Sequence, residues 1–335
     1  MRREAAEAPS AVRRQLAANR SAMQELARRL REQPPGAIVT CARGSSDHAA
    51  TYAKYLIETR TGVITSSAAP SVASVYRARA GMRGIVCLAI SQSGASPDLL
   101  CAVEAARAAG AITVALVNAA QSPLASLVEH AIPLHAGPEL SVAATKSFLA
   151  SLVAVAHLVA AWTDDAAAMA GLEALPDAME RAWMLDWSAA VPRLRGVGSM
   201  YVLGRGLGLG LAQESALKLK ETCGIHAEGI SAAEVRHGPM ALVRAGFPAL
   251  VYGQDDETLA GVEAVAADLV ARGATVTVAG LRCRDALELP TLPCEPCLAP
   301  ILLCQTFYGL ADAVSIARGL DPDRPPHLSK VTETV

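Results

Sequence analysis

A strand–loop–helix pattern occurs twice in this chain, and the repeat limits the folds open to it. A short apolar run at 38–41 leads to Arg43-Gly44, and a second at 200–203 leads to Arg205-Gly206. The helix ending in Gly110-Ala111-Ile112-Thr113-Val114 is echoed, at nearly the same spacing, by one ending in Gly273-Ala274-Thr275-Val276-Thr277-Val278. Continuous apolar runs that alternate with helical stretches read as buried strands of a parallel sheet. The chain is therefore α/β, with two copies of one βαβ-type domain. Its 335 residues suit two domains of roughly 150 residues each. The Ala-rich helical stretch 164–190 joins them, dividing the chain into 1–175 and 176–335.

In the first half, Val12, Leu16, Met23, Leu26 and Leu30 share one face of a helix that ends at Pro34-Pro35-Gly36. A strand, Ala37 to Cys41, precedes the loop 42–47 and a helix to about Thr59. A second strand, Gly84 to Ile90, runs into Ser91-Gln92-Ser93-Gly94-Ala95-Ser96-Pro97-Asp98. Ser96 suits the N-cap, Pro97 the first helical position and Asp98 the first turn. These serines could serve the turn alone. Four polar side chains exceed what capping needs, however, and backbone N–H groups at a helix start attract anions. A phosphate site is the favoured reading, with Ser46 adding a hydroxyl from the neighbouring loop. No GxxxxGK[ST] pattern is present, so a sugar phosphate is expected rather than a nucleoside triphosphate. A third strand covers 111–117, a turn and short helix 121–127, and a short strand 131–134. Lys146 either starts the next helix at the surface or touches ligand. That helix, 147–162, is too short for a membrane span and carries His157, so it reads as a core or subunit-interface helix.

In the second half, Gly204, Gly206, Gly208 and Gly210 let the backbone turn sharply after strand 200–203 and approach a ligand closely. A helix from about Leu211 then carries Glu214, Lys218 and Glu221, spaced four and three apart on one face. Such a face could be a solvated ladder. Its position after a glycine-rich strand-to-helix loop, with His226 and His237 following, favours an active site. Leu209 stands where a dinucleotide fingerprint needs glycine, so no nicotinamide or flavin is expected. The second copy of the serine loop, near Gly253-Gln254-Asp255-Asp256, is acidic and would repel phosphate. The first copy would then bind phosphate and the second supply acid and base groups. The tail, 319–335, is broken by Pro322, Pro325 and Pro326 and could close over a site.

A net charge of −2 without a long basic run argues against nucleic acid or an anionic membrane surface. The N-terminal sixteen residues contain no apolar signal segment, so a cytoplasmic protein is expected. The eight cysteines are scattered, consistent with a reduced compartment. Cys294 and Cys297 form a CxxC without a second pair, so neither a metal site nor redox use is expected.

Ser91-Gln92-Ser93-Gly94, Glu214-Ser215-Ala216-Leu217-Lys218-Leu219-Lys220-Glu221, Ile225-His226-Ala227-Glu228 and His237-Gly238-Pro239 together resemble the isomerase half of glucosamine-6-phosphate synthase. That half consists of two sugar isomerase (SIS) domains, and the resemblance covers nearly the whole chain. It implies two tandem flavodoxin-like, three-layer α/β/α domains with parallel sheets. It also implies a homodimer with a site shared across the subunit interface, a small-molecule sugar phosphate as partner, and no cofactor. By the same resemblance, Ser46, Ser91, Gln92, Ser93 and Ser96 would hold the phosphate and open sugar chain, and Val142 and Ala144 would line the sugar. The family usually has serine where this chain has Ala144. Glu221 would move a proton between C1 and C2, with Lys218 beside it. His237 would help open the ring, and Lys330 would form a Schiff base or close the site. By this resemblance the chain is expected to start at the first SIS helix, without the synthase's glutamine-hydrolysing domain. The resemblance is therefore closest to SIS-type glucosamine-6-phosphate deaminases, which form fructose 6-phosphate and ammonia. An amino-sugar synthase, another amino-sugar-phosphate deaminase, a fructosamine-phosphate deglycase and a non-catalytic sugar-phosphate sensor are the alternatives.

Overall fold

In the computed structural model, which describes residues 1–78 and 80–330, the chain forms two compact units. The early unit comprises Ser10–Glu139, Lys146–Glu173 and the end of the described tail, Ser329 and Lys330. The late unit comprises Met1–Pro9, Leu140–Thr145 and Ala174–Leu328. Each is built on a five-stranded, all-parallel sheet.

A short helix α1 (Arg2–Ala6) precedes α2 (Ala8–Glu32), whose buried face includes Val12, Met23, Leu26 and Leu30. The early unit continues through β1 (Ala37–Cys41), α3 (Ser45–Thr61), β2 (Thr65–Ser67), α4 (Ser71–Ser74) and β3 (Ile85–Ser91). It goes on with α5 (Pro97–Ala108), β4 (Ile112–Val117), α6 (Pro123–Leu127), β5 (His130–Pro133) and α7 (Lys146–Trp162). The strand order is β2-β1-β3-β4-β5, so the direction of winding reverses between β1 and β3. Cys87, Ala89, Val103 and Val117 form part of the core on one side of this sheet. Helix α7 is buried over nearly its full length, because it is apolar on every side.

Helix α8 (Ala166–Trp183) and the short α9 (Val191–Leu194) lead to β6 (Ser199–Gly204), α10 (Gly208–Cys223) and β7 (His226–Ser231). Then come β8 (Pro248–Tyr252), α11 (Leu259–Ala271), β9 (Thr275–Ala279), β10 (Leu287–Leu289) and α12 (Ala299–Ala317). The order β10-β9-β8-β6-β7 repeats that of the first sheet, confirming the duplication and the flavodoxin-like class. Leu203, Val251, Val265 and Val278 belong to its core. Residues 296–317 are the one stretch, among those described, helical and apolar enough to cross a membrane, yet 83% of its most apolar window is buried in the fold.

Two of the glycines before α10 are needed for packing within the protein. A Cβ on Gly204 would lie 2.2 Å from the Gly208 carbonyl oxygen, and one on Gly208 would lie 2.6 Å from Gln254 Oε1. Gly204 and Gly208 let the first turn of α10 lie close against β6 and Gln254. The helix accordingly begins at Gly208, three residues earlier than its strong helix formers indicate.

Candidate active site

In the early unit, β1 and β3 are paired in parallel, so the segments that follow them emerge side by side at the point where the winding reverses. This is the usual ligand edge of an open parallel sheet. Ser46 lies in the first turn of α3, and Ser91 through Ser96 connect β3 to α5. Ser91 Oγ accepts from Gly94 N at 3.0 Å, and Ser93 Oγ from Ala95 N at 3.4 Å. Gly94 has φ +63°, and a Cβ there would meet Ser122 Oγ at 2.2 Å. Ser96 stands at the N-cap with extended geometry, but its side chain makes no capping hydrogen bond. Its expected capping role is therefore not realised, and the hydroxyl is left for another acceptor. Gln92, Ser93 and Ser96 are half-buried.

Arg43 braces this loop. Its Nε and Nη2 lie 2.8 and 2.7 Å from Oδ2 of Asp98, which is buried in the first turn of α5. The exposed Arg43 therefore lies over the start of that helix. Burial raises the Asp47 carboxyl above its ordinary range, against the opposing pull of His48 and Arg43.

In the late unit, the three charged residues of α10 are far from a solvated ladder. Glu214 and Lys218 are fully buried, and the Glu221 side chain is 18% exposed. Lys218 Nζ lies 3.5 Å from Glu214 Oε1 and donates to Glu221 Oε2. Tyr308 of α12 donates to Glu214 Oε1 at 3.2 Å. Thr222 Oγ1 donates back to the Lys218 carbonyl within α10 at 2.8 Å, and Ser315 Oγ of α12 donates to the Thr222 carbonyl at 2.6 Å, joining the two helices. A buried lysine shared by two carboxylates is costly to assemble unless each charge is held. The result is one fixed cation with a single partly open carboxylate, Glu221. His237 follows β7 on an exposed turn, its N–H bonded to the Glu234 carbonyl at 2.8 Å. Val142 and Ala144 are half-buried in the 140–145 segment, where Glu4 accepts from Leu140 N at 2.5 Å and from Ser141 N at 3.2 Å.

Lys330 belongs to the early unit, where its Nζ lies 3.3 Å from Glu139 Oε2. Each unit thus gathers its own subset of the expected residues. The early unit holds Ser46, the serine loop and Lys330; the late unit holds Lys218, Glu221, His237, Val142 and Ala144. Sequence reading missed Glu139, Arg43 with Asp98, and Tyr308. Arg43 had a signal in its place directly after β1. Tyr308 sits in an apolar helix and had none.

A cavity of about 880 Å3 lies in the late unit beyond β8 and β9, lined among others by Gln254, Asp255, Glu263, Arg282 and Glu288. None of the expected site residues lines it, and its arginine is bound to Glu288 at 2.8 Å. The loop after β8 closes on itself: Gln254 Nε2 donates to the Arg205 carbonyl and to Asp256, both at 2.9 Å. It offers no counterpart to the serine loop. Among the described residues no group of His, Cys, Asp and Glu could hold a metal ion.

The sequence pattern of the SIS domain matches residues 33–161 and 193–279, the segments that carry the two sheets. The chain belongs to the SIS domain family. Among relatives of these SIS domains, a glutamine–fructose-6-phosphate aminotransferase [isomerizing] of Aeropyrum pernix is 37% identical over 319 residues. The match covers 88% of this chain but 51% of that protein, so the chain spans about half the length of the curated relatives it matches. It is homologous to their C-terminal, isomerase half. A Silicibacter pomeroyi DSS-3 protein assigned by name to the phosphosugar isomerases has a solved structure with 42% identity and a TM-score of 0.93. That match covers 96% of this chain and 99% of the other. The C-terminal domain of the Francisella tularensis glucosamine-fructose-6-phosphate aminotransferase aligns with 26% identity and a TM-score of 0.84, covering 96% and 97%.

Proposed function

We propose that this SIS protein converts glucosamine 6-phosphate and water to fructose 6-phosphate and ammonia. The observation that carries the reading is the Glu214–Lys218–Glu221 cluster, a buried cation holding one partly exposed carboxylate in place. A fixed carboxylate beside a lysine suits proton transfer at a carbon next to a carbonyl. The relatives, whose names join an aminotransferase to an isomerase of a hexose phosphate, support the substrate class.

In the proposed course the serine loop holds the phosphate, and His237 passes a proton as the ring opens. Glu221 takes the C2 proton of the open amino-aldose and returns it to C1, while O1 gains a proton and the amine gives one up, leaving a C1 hydroxyl and a C2 imine. Water adds to C2, the C–N bond breaks, and ammonia departs. Atoms balance without an oxidant or reductant. The same residues serve the reverse amination when ammonia is supplied. The reading includes a cytoplasmic homodimer, and sedimentation equilibrium tests the oligomer.

The test is release of ammonia and fructose 6-phosphate from glucosamine 6-phosphate by the purified protein without glutamine. Equal amounts of both support the reading. Silence with glucosamine 6-phosphate and with a panel of other amino-sugar phosphates, while phosphosugar binding persists, moves the assignment to a sensor.

A further inference from the structure

The carboxylate that meets Lys330 is not a surface group. Glu139 is 4% exposed, with its side chain fully buried. It accepts from Ser147 N at 3.1 Å and from Ser147 Oγ at 2.5 Å, and the same Oε2 faces Lys330 Nζ at 3.3 Å. Ser147 is in the first turn of α7, a 17-residue helix whose N-terminal dipole favours an anion there. The carboxylate is therefore fixed from behind by the helix, and the oxygen that takes the Ser147 hydroxyl also faces the tail lysine. Buried carboxylates are costly and are weak evidence of stabilisation. Fixing the position of a charge is a better explanation of this one.

The tail supplies the partner from a segment without regular structure. Between Leu320 and Lys330 it forms turns only, with no helix or strand, and Pro325 and Pro326 keep it from becoming helical. Lys330 remains 24% exposed. The contact thus joins a segment without regular structure to a rigid helix start.

We infer that Glu139 is the positioning residue for Lys330: it draws the tail ammonium to the head of α7 and holds it there during turnover. The inference rests on the proposed reading and adds to it Lys330, the residue that the resemblance gives as a Schiff-base former or site-closing group. The clasp itself is independent of that reading.

The experiment uses Glu139→Gln, Glu139→Asp, Lys330→Ala and the double variant E139Q/K330A in the full chain. Trypsin must take the Lys330 side chain into its own pocket to cut the Lys330–Val331 bond, so the ion pair competes with cleavage. Followed by intact mass, cleavage at this bond should be at least about threefold faster in E139Q and intermediate in E139D, with other sites unchanged. In the amino-sugar assay, E139Q should lower kcat by about tenfold or more with KM within about threefold. The double variant should be no worse than K330A. A Lys330 cleavage rate in E139Q within twofold of the unmodified protein overturns the clasp. So does acceleration at all tryptic sites together, which marks loss of structure only. Faster cleavage with kinetic losses that multiply independently overturns the positioning role. An unmodified protein silent on all amino-sugar phosphates overturns the functional reading, while the cleavage result still decides the clasp. If E139Q does not fold, E139D and Ser147→Ala carry the same comparison, each expected to give a smaller acceleration.

Discussion

The loops after β3 and β8 occupy the same place in two sheets of identical strand order, yet their chemistry is opposite. The first presents Ser91, Gln92, Ser93 and Ser96 ahead of α5 and is braced by Arg43 on Asp98. The second binds its own Gln254, Asp256 and Thr258 together and leaves Asp255 at the mouth of an acidic cavity. The late unit's distinctive chemistry lies instead on α10, the helix after its first strand. Duplication preserved the sheets because their buried strands tolerate little change, while the loops beyond the strand ends were free to diverge.

Glu221→Gln should give the largest effect. Replacing the one partly open carboxylate of the α10 cluster should lower turnover by about 10²–10⁴-fold. Ammonia release measured against substrate affinity checks it, and the affinity should change little.

The glycines sharpen the contrast in stability. Gly204→Ala pushes a methyl against the Gly208 carbonyl, and Gly94→Ala against Ser122 at a positive φ. Each should cost about 1–3 kcal/mol in urea unfolding. G94A should in addition weaken phosphosugar binding, which G204A should spare.

The two units should also differ in acid. His157 in α7 is 3% exposed, and burial, with a smaller contribution from Arg20, lowers its pKa from 6.5 to about 4. The unfolded chain binds this proton more readily, so the associated stability is complete above pH 6.5 and is lost as pH falls toward 4. The histidines of the late unit, His226, His237 and His327, are exposed. Replacing His157 with Gln should remove about 2–3 kcal/mol of the stability difference between pH 7.5 and 4.5 seen by denaturant titration.

Ser93→Ala should raise the Kd for a phosphosugar by about tenfold, the usual worth of one hydrogen bond to a charged group. Asp255→Ala in the late unit should leave it unchanged. The smallest expected signal is at the CxxC. Burial, and then the neighbouring Cys297, push the Cys294 thiol up to about 12, so thiol reagents at pH 7.5 should modify it far more slowly than a free thiol.

Strands β1, β3, β4, β5 and β6 were legible as short apolar runs, whereas β2, β8 and β10 were not read as strands. Nor was strand β7, His226–Ser231: it lies at the edge of its sheet with His226 and Glu228 exposed, so it reads as a polar loop. The spacing of Glu214, Lys218 and Glu221 revealed their shared face, since helical geometry is local. Their burial was invisible, because it depends on Tyr308 and α12 closing over them. Likewise Glu139 carried no signal of its own, as its partner Lys330 lies 191 residues away. The glycines before α10 were noticed for close approach, and at Gly204 and Gly208 the groups that come close are the Gly208 carbonyl and Gln254.

The proposed division of labour, with phosphate held in one unit and protons moved in the other, is best tested by measuring glucosamine 6-phosphate binding and ammonia release side by side on E221Q. The account predicts a Kd within about threefold of the unmodified protein and turnover reduced at least about a hundredfold. Ammonia release that survives the substitution, or binding lost together with turnover, would contradict it.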